Sequence, residues 1–248
     1  MNKKTAIVTG ASTGIGKRIT RLFLDRGYNV VMNSVTPENL EKTYLEFGSP
    51  VQAKMVAGDI SQKSVGEELV RTAIKYFGTV DVLINNAGVF APKPFLDVEE
   101  QELDHFFAIN LKGTFFASQS AIKEMLKNGG GSIINIGTVL VDHAIAGFPA
   151  TAPVVSKGGV HALTKQLAAE FGKQNIRINS IAPGIIRSPL QTKIGVTNSD
   201  DLAGLHLLHR IGEPSDIADM AYTLATSNFI TGAIINVDGG HVAGHLFN

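Results

Sequence analysis

The chain has no cysteine. That removes disulfides, thiolate catalysis and cysteine-based zinc sites together, and it fits a reducing compartment. An excess of charge of either sign is also missing: 22 lysines and arginines balance 22 aspartates and glutamates. The basic field that a phosphate backbone demands is therefore absent, which excludes nucleic acid as a partner. Long apolar runs are lacking too. The most permissive stretch, 139–155, is interrupted by Asp142, His143 and two prolines, so no segment reaches the roughly 18 apolar residues of a membrane span. Behind the N-terminal lysines the apolar run covers only Ala6 to Val8, too short for a signal-peptide core. These absences read as a cytoplasmic protein with no membrane partner. Tyrosine is scarce: Tyr28, Tyr44, Tyr76 and Tyr222 are the whole set, which becomes important below.

What is present is material for a core. Of 248 residues, 44% are hydrophobic and 18% charged, which excludes a disordered chain. Short β-branched runs at 5–9, 29–33, 51–57, 80–85, 132–136, 176–182 and 233–237 alternate with amphipathic stretches at 15–26, 37–47, 63–77, 99–126, 154–173 and 215–226. This rhythm predicts an α/β fold with a parallel sheet of about seven strands, doubly wound with helices on both faces. Several strands are apolar throughout, as strands covered on both sides should be. Gly27, Gly48, Gly78 and Gly172 stand where helices end and a left-handed residue is commonly needed. With no repeat or linker in view, residues 1–248 read as one Rossmann domain. The segment 187–213 breaks the rhythm and reads as a substrate lid.

The first strand runs directly into Thr9-Gly10-Ala11-Ser12-Thr13-Gly14-Ile15-Gly16 and then a helix. Glycines let this backbone turn tightly against a pyrophosphate, and the helix N-terminus offers free N–H groups to the anion. The end of the second strand reads Val30-Val31-Met32-Asn33-Ser34-Val35-Thr36, with no carboxylate to accept from a ribose 2′-hydroxyl. Ser34 and Thr36 could donate to a 2′-phosphate, although no arginine stands in that turn. The balance favours NADP over NAD.

The run TGASTGIG at 9–16, Asp59-Ile60 after the third strand, NNAG at 85–88, Asn110, Lys157, Pro183-Gly184 and ITGAIINVDGG at 230–240 resemble, in order, the short-chain dehydrogenase/reductase family. The likeness covers essentially the whole chain. It implies a Rossmann-type fold, a nicotinamide cofactor, a small-molecule carbonyl or alcohol substrate, and a dimer or tetramer of identical chains. It implies that Asp59 and Ile60 contact the adenine and that Asn86, Ala87 and Gly88 line the cofactor. Lys157 would hold the nicotinamide ribose, with Pro183, Gly184, Ile186 and Ser188 beside the nicotinamide.

One position departs from that pattern. The family's chemistry uses a Tyr-x-x-x-Lys pair, whose i, i+4 spacing puts both side chains on one helix face. The ammonium then makes the phenol a usable acid. Four residues before Lys157 stands Pro153, and no tyrosine lies between residues 77 and 221. Proline suits a first helical turn but supplies no proton. Thr138, at the family's serine position, keeps a hydroxyl. Losing a positioned acid costs about 10²–10⁴ in rate. Candidate substitutes are His143, with Asp142 beside it; Lys157 acting through a water anchored by Asn110; or the substrate itself. The catalytic set is thus Asn110, Thr138, Lys157 and His143. A redox-inactive, cofactor-binding sensor or partner subunit is the alternative.

The remaining histidines carry blander expectations. His206 and His209 read as lid or surface residues, and no metal site is expected. His241 and His245 read as interface or flexible tail, and His105 and His161 as surface or packing residues. Phe90, Phe95 and Phe148 read as pocket walls or core.

Overall fold

In strand β1 (Thr5–Val8) every residue is buried, and alternation alone divides the molecule into layers. Ala6 and Val8 join one apolar cluster, Ile7 the other. The computed structural model describes residues 3–189 and 198–244. The other strands are β2 (Asn29–Ser34), β3 (Ala53–Ala57), β4 (Val82–Asn85), β5 (Gly131–Ile136), β6 (Ile176–Pro183) and β7 (Ile234–Val237). They form one parallel seven-stranded sheet in the order β3-β2-β1-β4-β5-β6-β7. Ile7 stands opposite Val31 on one side and Leu83 on the other. The strand order reverses between β1 and β4, and the crevice at such a reversal is where ligands bind in open α/β sheets.

Helices α1 (Gly14–Asp25) and α7 (Pro214–Thr226) cover one face with α2 (Pro37–Glu46). Helices α3 (Lys63–Phe77), α5 (Thr114–Lys127) and α6 (Thr151–Phe171) cover the other. On the first face Phe23 is fully buried and meets Tyr28 and Tyr222 edge-on at 4.9 and 5.7 Å. Among the described residues no helix is long and apolar enough to cross a membrane.

Several expected boundaries move. The stretch expected as a single helix over 99–126 is continuously helical but widens in its middle: α4 (Glu100–Phe106) passes through a π turn (Phe107–Gly113) into α5. Gly113 lies so close to Ile60 that an added Cβ would stand 3.0 Å from its carbonyl oxygen. Val51 is exposed and precedes β3. Val80 is buried, but β4 starts later, after Asp81, whose carboxylate accepts the Thr5 N–H at 2.8 Å. Helix α6 starts three residues early, which puts Pro153 at its third position, where no N–H is needed within the helix. Gly27, Gly48 and Gly78 adopt positive φ, whereas Gly172 stays right-handed and Asn175 takes the left-handed turn. The segment expected as a lid holds a short 3-10 helix (Ser199–Leu205) and an Ile186–Gly212 bridge; its residues 190–197 lie outside the described part.

Truncating the aromatic contact between α1 and α7 tests this packing. Phe23→Ala is expected to lower the unfolding free energy by about 3–5 kcal/mol, measured by urea denaturation.

Candidate active site

The turn after β1 is built to leave backbone donors open. Gly10 and Gly14 adopt φ of +63° and +51°, and a Cβ on Gly16 would stand 2.2 Å from the Gly10 oxygen. Helix α1 therefore rests directly on its own approach turn. Its N-cap Thr13 makes no side-chain capping bond, and its first turn carries no acidic residue. The orphan N–H groups and the positive end of the helix dipole are thus left to an anion, which fits the pyrophosphate of a dinucleotide. Asn86 locks the turn, donating from Nδ2 to the Thr9 and Gly10 oxygens at 2.9 and 3.2 Å. Thr9 Oγ1 returns the favour by accepting the N–H groups of Asn86 and Ala87.

Next to this turn opens a cavity of about 570 Å³. It brings together Gly10, Thr13, Gly14, Ile15, Asn86, Ala87 and Gly88 with Thr138, Lys157, Pro183, Gly184, Ile186 and Ser188. The other predicted positions stand outside its lining. Ser12 and Ser34 are buried and share a hydroxyl hydrogen bond of 2.9 Å. Asp59 accepts the Ser61 N–H at 2.9 Å, and Ile60 is buried below Gly113. Lys17 pairs with Glu46 on α2, while Arg18 lines a groove that adjoins the cavity at Gly14 and Ser188.

Asn110 sits on the π turn, fully buried. Its Oδ1 accepts the Val89 N–H at 2.8 Å, and its Nδ2 donates to the Val89 oxygen at 3.0 Å and to Ser156 Oγ at 2.9 Å. Both side-chain donors are therefore spent on holding the Gly88–Val89 strand exit and α6, not on a water. Ser156 donates onward to the Pro153 carbonyl at 2.7 Å. Lys157 Nζ donates to the Ile136 carbonyl at 2.6 Å. A Cβ on Gly88 would stand 3.1 Å from Asn110 Oδ1 and 3.2 Å from Lys157 Nζ, so glycine is what lets the two flank one spot. Burial pushes the Lys157 ammonium down to about 8, because an enclosed charge loses its hydration.

The histidines are rearranged relative to expectation. His143 is half-buried and does not figure among the cavity-lining residues. Its ring packs edge-on against His241 at 5.2 Å. His241, expected at an interface or in a loose tail, is buried and lines the cavity of its own chain. His206 is buried, not at the surface, and its Nε2 accepts the Ile185 N–H at 3.2 Å. His161 is buried against Gly137, where a Cβ would collide with its Nε2. His245 lies outside the described residues. Phe90 and Phe148 line the cavity and stack at 6.0 Å, whereas Phe95 is exposed elsewhere. No cluster among the described residues could hold a metal ion.

A glycine turn feeding a helix at the switch point of a parallel sheet, with a cavity beyond it, defines a dinucleotide-binding α/β protein. The chain belongs to the short-chain dehydrogenase/reductase family: a family model described as enoyl-(acyl carrier protein) reductase matches residues 10–242. The chain is 33% identical to 3-oxoacyl-(acyl-carrier-protein) reductase FabG of Thermotoga maritima over 96% of its length and 98% of that protein. Oxidoreductase UcpA of Salmonella typhimurium is 34% identical over 96% of this chain and 94% of the relative. The solved structure of ElxO with NADP bound superposes with a TM-score of 0.90 at 31% identity, covering 98% of this chain and 100% of that one.

Two measurements follow from the Asn110 and Lys157 geometry. Asn110→Ala strands Val89 and Ser156 groups in the interior and is expected to cost about 3 kcal/mol of stability, read by thermal or urea unfolding. Lys157 holds its proton less tightly folded than unfolded, so between pH 8 and the unfolded lysine value of about 10.4 the unfolded chain binds more protons. Stability should rise with pH across that window, and the rise should be smaller in Lys157→Met.

Proposed function

We propose that the chain is an NADP-dependent oxidoreductase that interconverts a carbonyl and an alcohol, with Lys157 in the proton-handling role. The observation that carries this is the cavity-lining Lys157 ammonium, brought by burial to about 8 and held by the Ile136 carbonyl two residues before Thr138. An acid whose pKa lies near the working pH makes an efficient proton donor. The bound NADP of ElxO and the lack of any carboxylate at the end of β2 support the choice of cofactor.

A bound nicotinamide would supply or accept the hydride. The chain's own groups do the rest. The orphan N–H groups at the start of α1 hold the pyrophosphate, and Gly88 and Pro183-Gly184 bring backbone beside the nicotinamide half. Thr138 donates its hydroxyl to the substrate carbonyl oxygen. The Lys157 ammonium gives that oxygen a proton as charge develops on it, and takes it back in the oxidative direction. Asn110 positions Gly88 and α6 and does not touch substrate. The apolar side chains of Val89, Leu140 and Ile145 keep water from the reacting atoms.

Pro153 favours a second reading, a redox-inactive NADP-binding subunit, because it takes the place of the phenol that the family uses. NADPH consumption against a carbonyl panel separates the two. Under the first reading the reduction rate falls as pH rises through about 8, because the ammonium is the acid. Lys157→Met should lower kcat by about 10²–10⁴, and NADPH should be preferred to NADH. NADPH binding without turnover of any carbonyl would establish the second reading instead.

A further inference from the structure

Three segments far apart in sequence place His143, His206 and His241 side by side, His241 in the wall of the cavity and the other two behind it, with ring centroids 5.2 Å (His143 to His241) and 5.5 Å (His206 to His241) apart. His206 is already committed: its Nε2 accepts a backbone N–H, so that nitrogen carries no proton. Asp238 is committed as well, its carboxylate accepting the N–H groups of Gly240 and Val242. His241 differs from both. It is 3% exposed, it lines the cavity, and neither of its ring nitrogens makes a hydrogen bond of good geometry, the Leu205 carbonyl offering the ring only a weak one. A buried polar group left unpaired costs about 1–3 kcal/mol, a cost that a ligand in the cavity can remove.

The chemistry of that ring restricts the ligand. Burial first, then His206 and His143 beside it, push His241 below the ordinary imidazole range, while Asp238 and the Leu205 carbonyl pull the other way. A neutral imidazole offers one donor and one acceptor, which suits a hydroxyl or carbonyl better than an anion. The surrounding wall agrees. Val139, Leu140, Ile145, Phe148, Leu202 and Leu205 are apolar, and Lys157 is the one lysine, arginine or carboxylate residue among the described residues that line the cavity.

We infer that His241 is the substrate-recognising residue of this cavity, hydrogen-bonding an uncharged hydroxyl or carbonyl on the apolar body of a ketone substrate. The inference rests on the oxidoreductase reading above. It disfavours substrates whose enclosed part carries a carboxylate or phosphate, since no cationic side chain beside His241 among the described residues lining the cavity would neutralise one.

The test uses acetophenone, 4′-hydroxyacetophenone and 4-acetylbenzoate with NADPH. The hydroxylated ketone is expected to exceed acetophenone about tenfold in kcat/KM, the value of one modest hydrogen bond, and the carboxylate to be the poorest of the three. In His241→Phe the ratio of hydroxylated to parent ketone should fall to about one, and His241→Gln, which keeps a donor and an acceptor, should restore part of it. A second readout needs no turnover: the ¹⁵N signals of the His241 ring in the NADP-bound protein should move with 4′-hydroxyacetophenone and stay with acetophenone. Equal ratios in parent and His241→Phe, preference for 4-acetylbenzoate, or a His241 signal indifferent to the hydroxyl would each overturn the inference. NADPH binding with no ketone turned over would sink the oxidoreductase reading alone, and the ring signal would still decide this one. Absence of NADPH binding would end both.

Discussion

The junction of β1, the glycine turn and Asn86 is the constraint on which the rest of this site depends. Asn86 Nδ2 bonds two successive carbonyls of the turn, and Thr9 Oγ1 bonds two successive N–H groups of the β4 exit. Together they fasten the two strands at the point where the sheet order reverses. Gly16 must approach the Gly10 carbonyl within a distance that no side chain permits. The turn therefore cannot relax away from β4, and the open end of α1 is fixed beside the cavity. A phosphate arriving there meets donors already oriented, with little ordering left to do on binding.

The second half of the site is hung from this junction through Asn110. Val89 follows directly on the Asn86–Gly88 segment, and Asn110 clamps both its backbone polar groups while reaching Ser156 on α6. The π turn is the local cost of that reach, since an extra residue per turn re-aims a side chain that a regular helix would point elsewhere. Lys157, one residue after Ser156, inherits its position from the same clamp. Burial then lowers its pKa to about 8. Position in the fold, more than the identity of a neighbouring acid, tunes this amine.

Much of this was legible in the residues themselves. Apolar runs bounded by glycine locate all seven strands to within about two residues, and TGASTGIG between a strand and a helix fixes where an anion would sit. Lys157 could be placed because the whole of α6 carries the pattern, and the absence of tyrosine from 77 to 221 left no other register. The π turn was not legible, because apolar periodicity does not register one extra residue per turn when the buried positions on both sides are kept. His241 was not legible either. Its burial follows from how the segment after β7 folds back over His206, a tertiary fact with no local signature. His143 was a candidate acid by its neighbour Asp142 and its place after Thr138, beside Lys157, yet adjacency in sequence says little about which ring a loop turns toward a cavity.

On the proposed reading, proline where the family has a phenol bears on selectivity as well as on chemistry. A tyrosine at the start of α6 would present a polar group to any carbonyl bound there, whatever the rest of the substrate. With Pro153 buried and outside the cavity lining, the polar side chains that line the cavity among the described residues are those of Thr13, Asn86, Thr138, Lys157, Ser188 and His241, set among apolar wall. Polar anchors set apart in an apolar space fix both the position and the direction of a ligand, because reversing it leaves one anchor unpaired at a cost of about 1–3 kcal/mol. A site of this kind discriminates by the spacing of polar groups on the substrate. On the proposed reading, the proline that stands where the family has its acid also makes the chain a narrower reader of what it binds.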